Sequence, residues 1–78
     1  MTVEIYTTQT CAYCVNARQL LNRHGLAYTE IDVGGYPDRL LDMVNRSGRR
    51  TVPQIFIDNS AVGGYSELAD LLDNQSVA

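Results

Sequence analysis

The only two cysteines of this 78-residue chain, Cys11 and Cys14, stand three residues apart. A bridge between them closes too small a loop to remove much entropy from the unfolded state. No cross-link between distant segments is available, so the fold rests on an apolar core. A chain this short buries only about 60% of the surface its unfolded form exposes, and that core has to be efficient. Hydrophobic residues make up 45% of the sequence, a globular rather than a disordered composition. We read one domain, residues 1–78, with no linker or internal repeat and a tail expected to fray from Asn74 onward.

The periodicities along the chain predict the element order. Val3–Thr7 (VEIYT) alternates and is rich in β-formers, so it reads as a strand. Thr10 can cap a helix starting near Cys11, with Ala12, Val15, Ala17, Leu20 and Leu21 on its inner face and Gly25 as its left-handed stop. Leu26–Val33 reads as a second strand, broken by Gly34-Gly35. Pro37 suits a first helical position, Asp38 the positive helix start, and Leu40, Leu41, Met43 and Val44 an apolar face that ends at Gly48. Val52–Asp58 is a third strand, Asp58-Asn59-Ser60 a turn, and Ala61–Gly63 a short fourth strand. Ser66 can cap a last helix carrying Leu68, Ala69, Leu71 and Leu72. A βαβ unit requires parallel strands and a right-handed crossover, and the hairpin adds antiparallel strands. The expected architecture is α/β, a four-stranded mixed sheet with helices on both faces in the order βαβαββα.

Charge narrows the function. The net charge is −3, so no strong basic field exists to gather phosphates, and nucleic acid is not an expected partner. All six basic residues are arginines. Arg39, Arg46, Arg49 and Arg50 fall within twelve residues, which is compatible with one locally positive edge, though the reading we take is a solvated helix face. No apolar run approaches the ~20 residues of a membrane span, and the N-terminal stretch MTVEIYTTQT has no signal-peptide pattern. The expected setting is the cytoplasm, where thiols are kept reduced and a CxxC pair is redox-active or metal-binding rather than structural.

The position of the pair then selects its chemistry. Cys11 follows a strand and opens a helix, where the first N–H groups lack intrahelical partners and the dipole favours negative charge. CxxC thiols in such settings ionise in roughly the 3.5–7.5 range instead of near 8.5, and the thiolate is the species that attacks disulfides. Cys14 lies one turn deeper on nearly the same face. This makes Cys11 the nucleophile and Cys14 the resolving thiol. A structural zinc site needs four ligands. Besides the cysteines there is only His24, at the far end of the same helix and about 15 Å away at 1.5 Å per residue. A single-chain metal site is therefore not expected.

Two remote segments add to the pair. Pro53 opens a strand and donates no hydrogen bond; as a cis proline it would leave the preceding backbone free for an extended ligand. Gly63-Gly64 precedes the last helix, where glycines admit close approach of a ligand and the helix start can hold a carboxylate.

With VEIYT, TCAYC, RSGRRTVPQIFID and VGGYSEL in this order and spacing, the chain resembles the bacterial dithiol glutaredoxins from about Val3 to Leu72. The resemblance implies a thioredoxin fold with a cis proline at Pro53, and a glutathione-disulfide oxidoreductase that needs no bound cofactor or metal and takes glutathione as co-substrate. It implies that Tyr13 flanks the glutathione, that Thr51, Val52 and Pro53 line its cysteinyl unit, and that Gly64, Tyr65 and Ser66 lie at its γ-glutamyl end. Glu67 takes the place of an acidic residue that pairs with the γ-glutamyl ammonium. Protein partners would be disulfide or glutathionylated proteins such as ribonucleotide reductase, met by a monomer. The departures are informative. Ala12 replaces the proline usual between the cysteines, and Thr8 stands where a lysine often meets the glycyl carboxylate, leaving Arg50 or Arg39 as substitutes. Leu40 replaces a polar contact, and Tyr65 a frequent cysteine. Two further readings follow from these departures. One is a reductant coupled to thioredoxin reductase. The other is a dimer sharing a [2Fe–2S] cluster through each Cys11 and two glutathiones.

Overall fold

The computed structural model describes residues 1–76, and the side chains of residues 1–73. Its elements are β1 (Val3–Thr7), α1 (Ala12–Arg23), β2 (Thr29–Asp32), α2 (Pro37–Ser47), β3 (Gln54–Ile57), β4 (Ser60–Gly63) and α3 (Tyr65–Ser76). The strand order is β2-β1-β3-β4. β1 runs parallel to β2 and antiparallel to β3, which is antiparallel to β4. This is the four-stranded mixed sheet with three helices that the sequence led us to expect.

Alternation in β1 divides the core in two. Val3 and Ile5 join Ala17, Leu20 and Leu21 of α1, Ile55, and Leu68 and Leu72 of α3 on one face. Tyr6 joins Val33, Met43 of α2 and Phe56 on the other. The helices present different stripes from those first assigned. In α1, Cys14, Ala17, Leu20 and Leu21 are buried, whereas Ala12 and Val15 are exposed, because the i, i+3, i+7 line through Cys14 faces the sheet and those two fall beside it. In α2, Met43 is fully buried and Leu41 is 59% exposed; the inner line runs through Leu40, Met43 and Val44. The backbone of α3 is helical through Ser76; the rest of the tail expected to fray, residues 77 and 78, lies outside the described residues.

The strands are shorter than their apolar runs, for local reasons. Gly25 takes φ +68°, its N–H bonds the Asn22 carbonyl, and the Leu26 N–H bonds that of Leu21, which is a Schellman closure of α1. Leu26 is thus spent on the helix exit, and β2 begins only at Thr29. Asp58 and Asn59, both at positive φ, form the two-residue turn of a hairpin in which Ile57 pairs with Ser60, so Ser60 belongs to β4 and not to the turn.

The arginine-rich stretch is not one solvated face. Arg46 binds Glu4 at 3.0 Å, donates to the Tyr6 hydroxyl at 2.8 Å and stacks over Phe56 at 4.0 Å. Tyr6 in turn donates to Asp42. The polar end of the second core is closed by this network, which ties β1 to α2.

Candidate active site

Cys11 is the N-cap of α1. Its backbone is extended, and its Sγ accepts the N–H of Cys14 at 3.1 Å. Thr10, the cap expected from the sequence, is exposed in the preceding turn; the sulfur itself takes the capping place. An otherwise orphan helix N–H therefore points at the Cys11 sulfur. The thiol reaches across to the carbonyl of Val52 at 3.6 Å, which brings the start of α1 against the Thr51-Val52-Pro53 segment. Cys11 is half-buried and Cys14 fully buried.

That difference in depth has a chemical consequence. Burial, and then the neighbouring Cys11 sulfur, push the Cys14 thiol up to about 12. Cys14 is protonated at neutral pH, and its reactive thiolate becomes more populated as pH rises. A step in which Cys14 attacks a mixed disulfide on Cys11 should accelerate about tenfold per pH unit wherever that thiol stays mostly protonated. Stopped-flow release of the second thiol from such a mixed disulfide between pH 6 and 9 measures this. A plateau below pH 8 would show that Cys14 ionises far more easily than its burial implies.

Beside the cysteines lies a groove of about 200 Å³ lined by Tyr13, Arg49, Thr51, Val52, Pro53, Gln54, Gly64, Tyr65, Ser66 and Glu67. The eight residues assigned to ligand binding from the sequence thus converge on one surface from α1, the loop before β3, and the start of α3. The Val52–Pro53 peptide is cis. Tyr13 is 63% exposed, and its ring lies 6.1 Å from that of Tyr65, tilted by 34°. Gln54 is buried and donates to the Thr51 hydroxyl at 3.2 Å, fixing that side chain.

At the far end of the groove, Glu67 is already engaged. Its Oε1 accepts the Gly64 N–H at 2.7 Å and Arg49 Nη1 at 3.0 Å. With Gly64 as N-cap, Glu67 is the third residue of α3 and reaches back as the acidic half of a capping box. Ser66, the cap expected from the sequence, lies inside the first turn instead. The Gly64 N–H, and next Arg49, hold the Glu67 carboxyl below its ordinary range. Gly63 adopts φ +119°, and a Cβ there would lie 2.5 Å from Glu67 Oε1. The glycine pair thus makes room for a side chain of this chain as well as for any ligand.

Arg49 and Gln54 were not singled out from the sequence as lining this groove. Arg49 read as one of four arginines on a helix face, although it precedes Thr51 by two residues. Arg39 stacks on Tyr36 at 3.9 Å and donates to the Asp32 carbonyl, and Arg50 is exposed; neither lines the groove. His24 caps the C-terminus of α1 with its Nε2 3.7 Å from Asp73. Among the described residues, no three His, Cys, Asp or Glu side chains converge as metal ligands, and no helix is long and apolar enough to cross a membrane. A larger hollow of about 420 Å³ near Met1, Leu26 and Leu72 is lined mainly by apolar residues.

The family model described as Glutaredoxin matches residues 3–62. The chain is 47% identical over 66 residues to Glutaredoxin 3 of Escherichia coli strain K12, covering 85% of this chain and 80% of that one. It superposes on the solution structure of glutaredoxin from Brucella melitensis with a TM-score of 0.83 and 43% identity, covering 99% of this chain and 84% of the other. The buckwheat glutaredoxin–glutathione complex shares the fold, with a TM-score of 0.80 at 24% identity over 96% of this chain and 72% of that one.

Proposed function

The chain belongs to the glutaredoxin family of thiol–disulfide oxidoreductases, and we propose that it uses glutathione as reductant to reduce protein disulfides and glutathione–protein mixed disulfides. One observation carries this reading. The sulfur that caps α1, with the Cys14 N–H at 3.1 Å, lies 3.6 Å from the carbonyl of Val52, a residue that lines the groove together with Pro53 and the Gly64–Glu67 segment. A nucleophile alone would serve any disulfide. The groove beside it has the backbone and charged end that a γ-glutamyl tripeptide needs, and the buckwheat protein of this fold has been solved with glutathione.

On a glutathionylated protein, the Cys11 thiolate attacks the glutathione sulfur. The Cys11–glutathione disulfide forms, and the protein thiolate leaves and takes a proton. A second glutathione thiolate attacks the bound glutathione sulfur, releasing glutathione disulfide and the Cys11 thiolate. On a protein disulfide, Cys11 attacks one sulfur and expels the other as a thiolate. Cys14, having lost its proton, then attacks Cys11 and frees the second substrate thiol. The Cys11–Cys14 disulfide left behind is reduced by two glutathiones, which leave as glutathione disulfide. Each stage breaks one S–S bond and makes one.

The electron donor tests the reading. Glutathione with glutathione reductase and NADPH should sustain turnover on a glutathionylated peptide, and thioredoxin reductase with NADPH should not. The reverse pattern would identify a thioredoxin-reductase-coupled reductant, a reading that Thr8, standing where relatives often carry lysine, would favour.

A further inference from the structure

We propose that Arg49 is a specificity-determining residue that takes the γ-glutamyl α-carboxylate of the co-substrate, beside the α-ammonium that the family resemblance already assigns to Glu67. This deepens the glutathione reading above and rests on it.

The two side chains form an ion pair at 3.0 Å on the wall of the groove, both of them partly exposed. Arg49 contributes one N–H to that pair out of the five that a guanidinium carries in a rigid fork. On Glu67, the bonds from Gly64 and Arg49 both end on Oε1, which leaves Oε2 for a further donor. The Glu67 side chain is also fixed in place. It caps α3 through Gly64 and lies over Gly63, where a Cβ would come within 2.5 Å of its Oε1.

An ammonium bound at Oε2 alone would leave the remaining N–H groups of Arg49 without an anion. An α-amino-acid head group supplies one, because it carries a carboxylate and an ammonium on one carbon. Set against the pair, its four charges alternate in sign: Arg49, Glu67, ammonium, carboxylate. Every charge gains a partner and none loses one. The pair is neutral as a unit, so it suits a net-neutral zwitterion better than a lone amine or a lone acid. Arg49 comes from the loop before β3 and Glu67 from α3, so the reader forms only when the two segments pack.

Three thiols separate the roles. Glutathione carries both head-group charges. 4-Aminobutyryl-Cys-Gly keeps the ammonium and lacks the carboxylate. Glutaryl-Cys-Gly keeps the carboxylate and lacks the ammonium. KM for each is measured in reduction of a mixed disulfide by the wild type, Arg49→Gln, Arg49→Lys and Glu67→Gln. The last substitution keeps an oxygen for the Gly64 cap. Arg49→Gln should raise KM for glutathione roughly fivefold, the upper range for a half-exposed charge contact, and leave KM for the aminobutyryl thiol unchanged. Arg49→Lys should recover part of the loss. Glu67→Gln should raise KM for glutathione and leave that for the glutaryl thiol unchanged. If Arg49→Gln leaves or lowers KM for glutathione, or raises KM equally for glutathione and the aminobutyryl thiol, the assignment is overturned. In the first case Arg49 merely competes for Glu67, and in the second it acts through the fold. A wild type that turns over none of the three thiols overturns the glutathione reading itself.

Discussion

Replacing Cys11 by serine is expected to remove turnover on both substrate classes by at least roughly 10³-fold, because the thiol that remains, Cys14, is fully buried and protonated at neutral pH. The hydroxyl can still cap α1 and accept the Cys14 N–H, so the fold should survive and the loss can be assigned to chemistry. Cys14→Ser is the informative partner. Cys14 is buried and protonated at neutral pH, and exchange of a single glutathione on Cys11 does not call on it. That variant should keep much of the activity on a glutathione mixed disulfide and lose the activity that requires a Cys11–Cys14 disulfide. Steady-state rates on a glutathionylated peptide and on a protein disulfide, for both variants, give the comparison. A Cys14→Ser protein as inactive as Cys11→Ser on the glutathionylated peptide would refute the monothiol route.

Gly63→Ala is expected to have the largest effect on stability of any single-methyl change near the groove. A non-glycine residue at φ +119° stores roughly 1–3 kcal/mol of backbone strain. In a domain of this size each kcal/mol lowers Tm by about 4–8 °C, so the fall should be roughly 5–20 °C. The new methyl would also lie 2.5 Å from Glu67 Oε1 and displace the carboxylate from both Gly64 and Arg49. Calorimetry of Gly63→Ala, Glu67→Ala and the double variant separates the two effects. The overlap should vanish in the double variant, which should therefore lose less than the sum of the single changes. Strict additivity would mean that Glu67 does not occupy the space over Gly63.

Much of this protein was legible in its sequence. Alternation in VEIYT, the helical spacing after TCAYC and the glycine stops have one-dimensional signatures, and they delivered the element order and the mixed sheet. Eight of the residues lining the groove were named because their motifs are local: Tyr13 between the cysteines, Thr51-Val52-Pro53, and the four residues after Gly63. What failed was of another kind. Thr10 and Ser66 looked like caps because hydroxyl residues cap helices well in general. The places were taken by a cysteine sulfur in α1, and by Gly64 with the Glu67 carboxylate in α3. Ala12, Val15 and Leu41 are apolar, but the phase of a helix is set by what it packs on, and their faces meet solvent.

The sequence by itself therefore determined the fold class and the placement of the two cysteines, because a strand–helix junction with CxxC places one sulfur at the helix start and the other one turn inside. Only the tertiary structure decided how the distant segments share charge. Arg46 and Arg49 are three residues apart in similar local sequence, yet one closes a core against Glu4, Tyr6 and Phe56, and the other meets Glu67 beside the groove. The difference has no local signature. It depends on which segments the packed sheet and helices bring within about 3 Å of each guanidinium, a distance set by the whole fold and at which charges act as pairs.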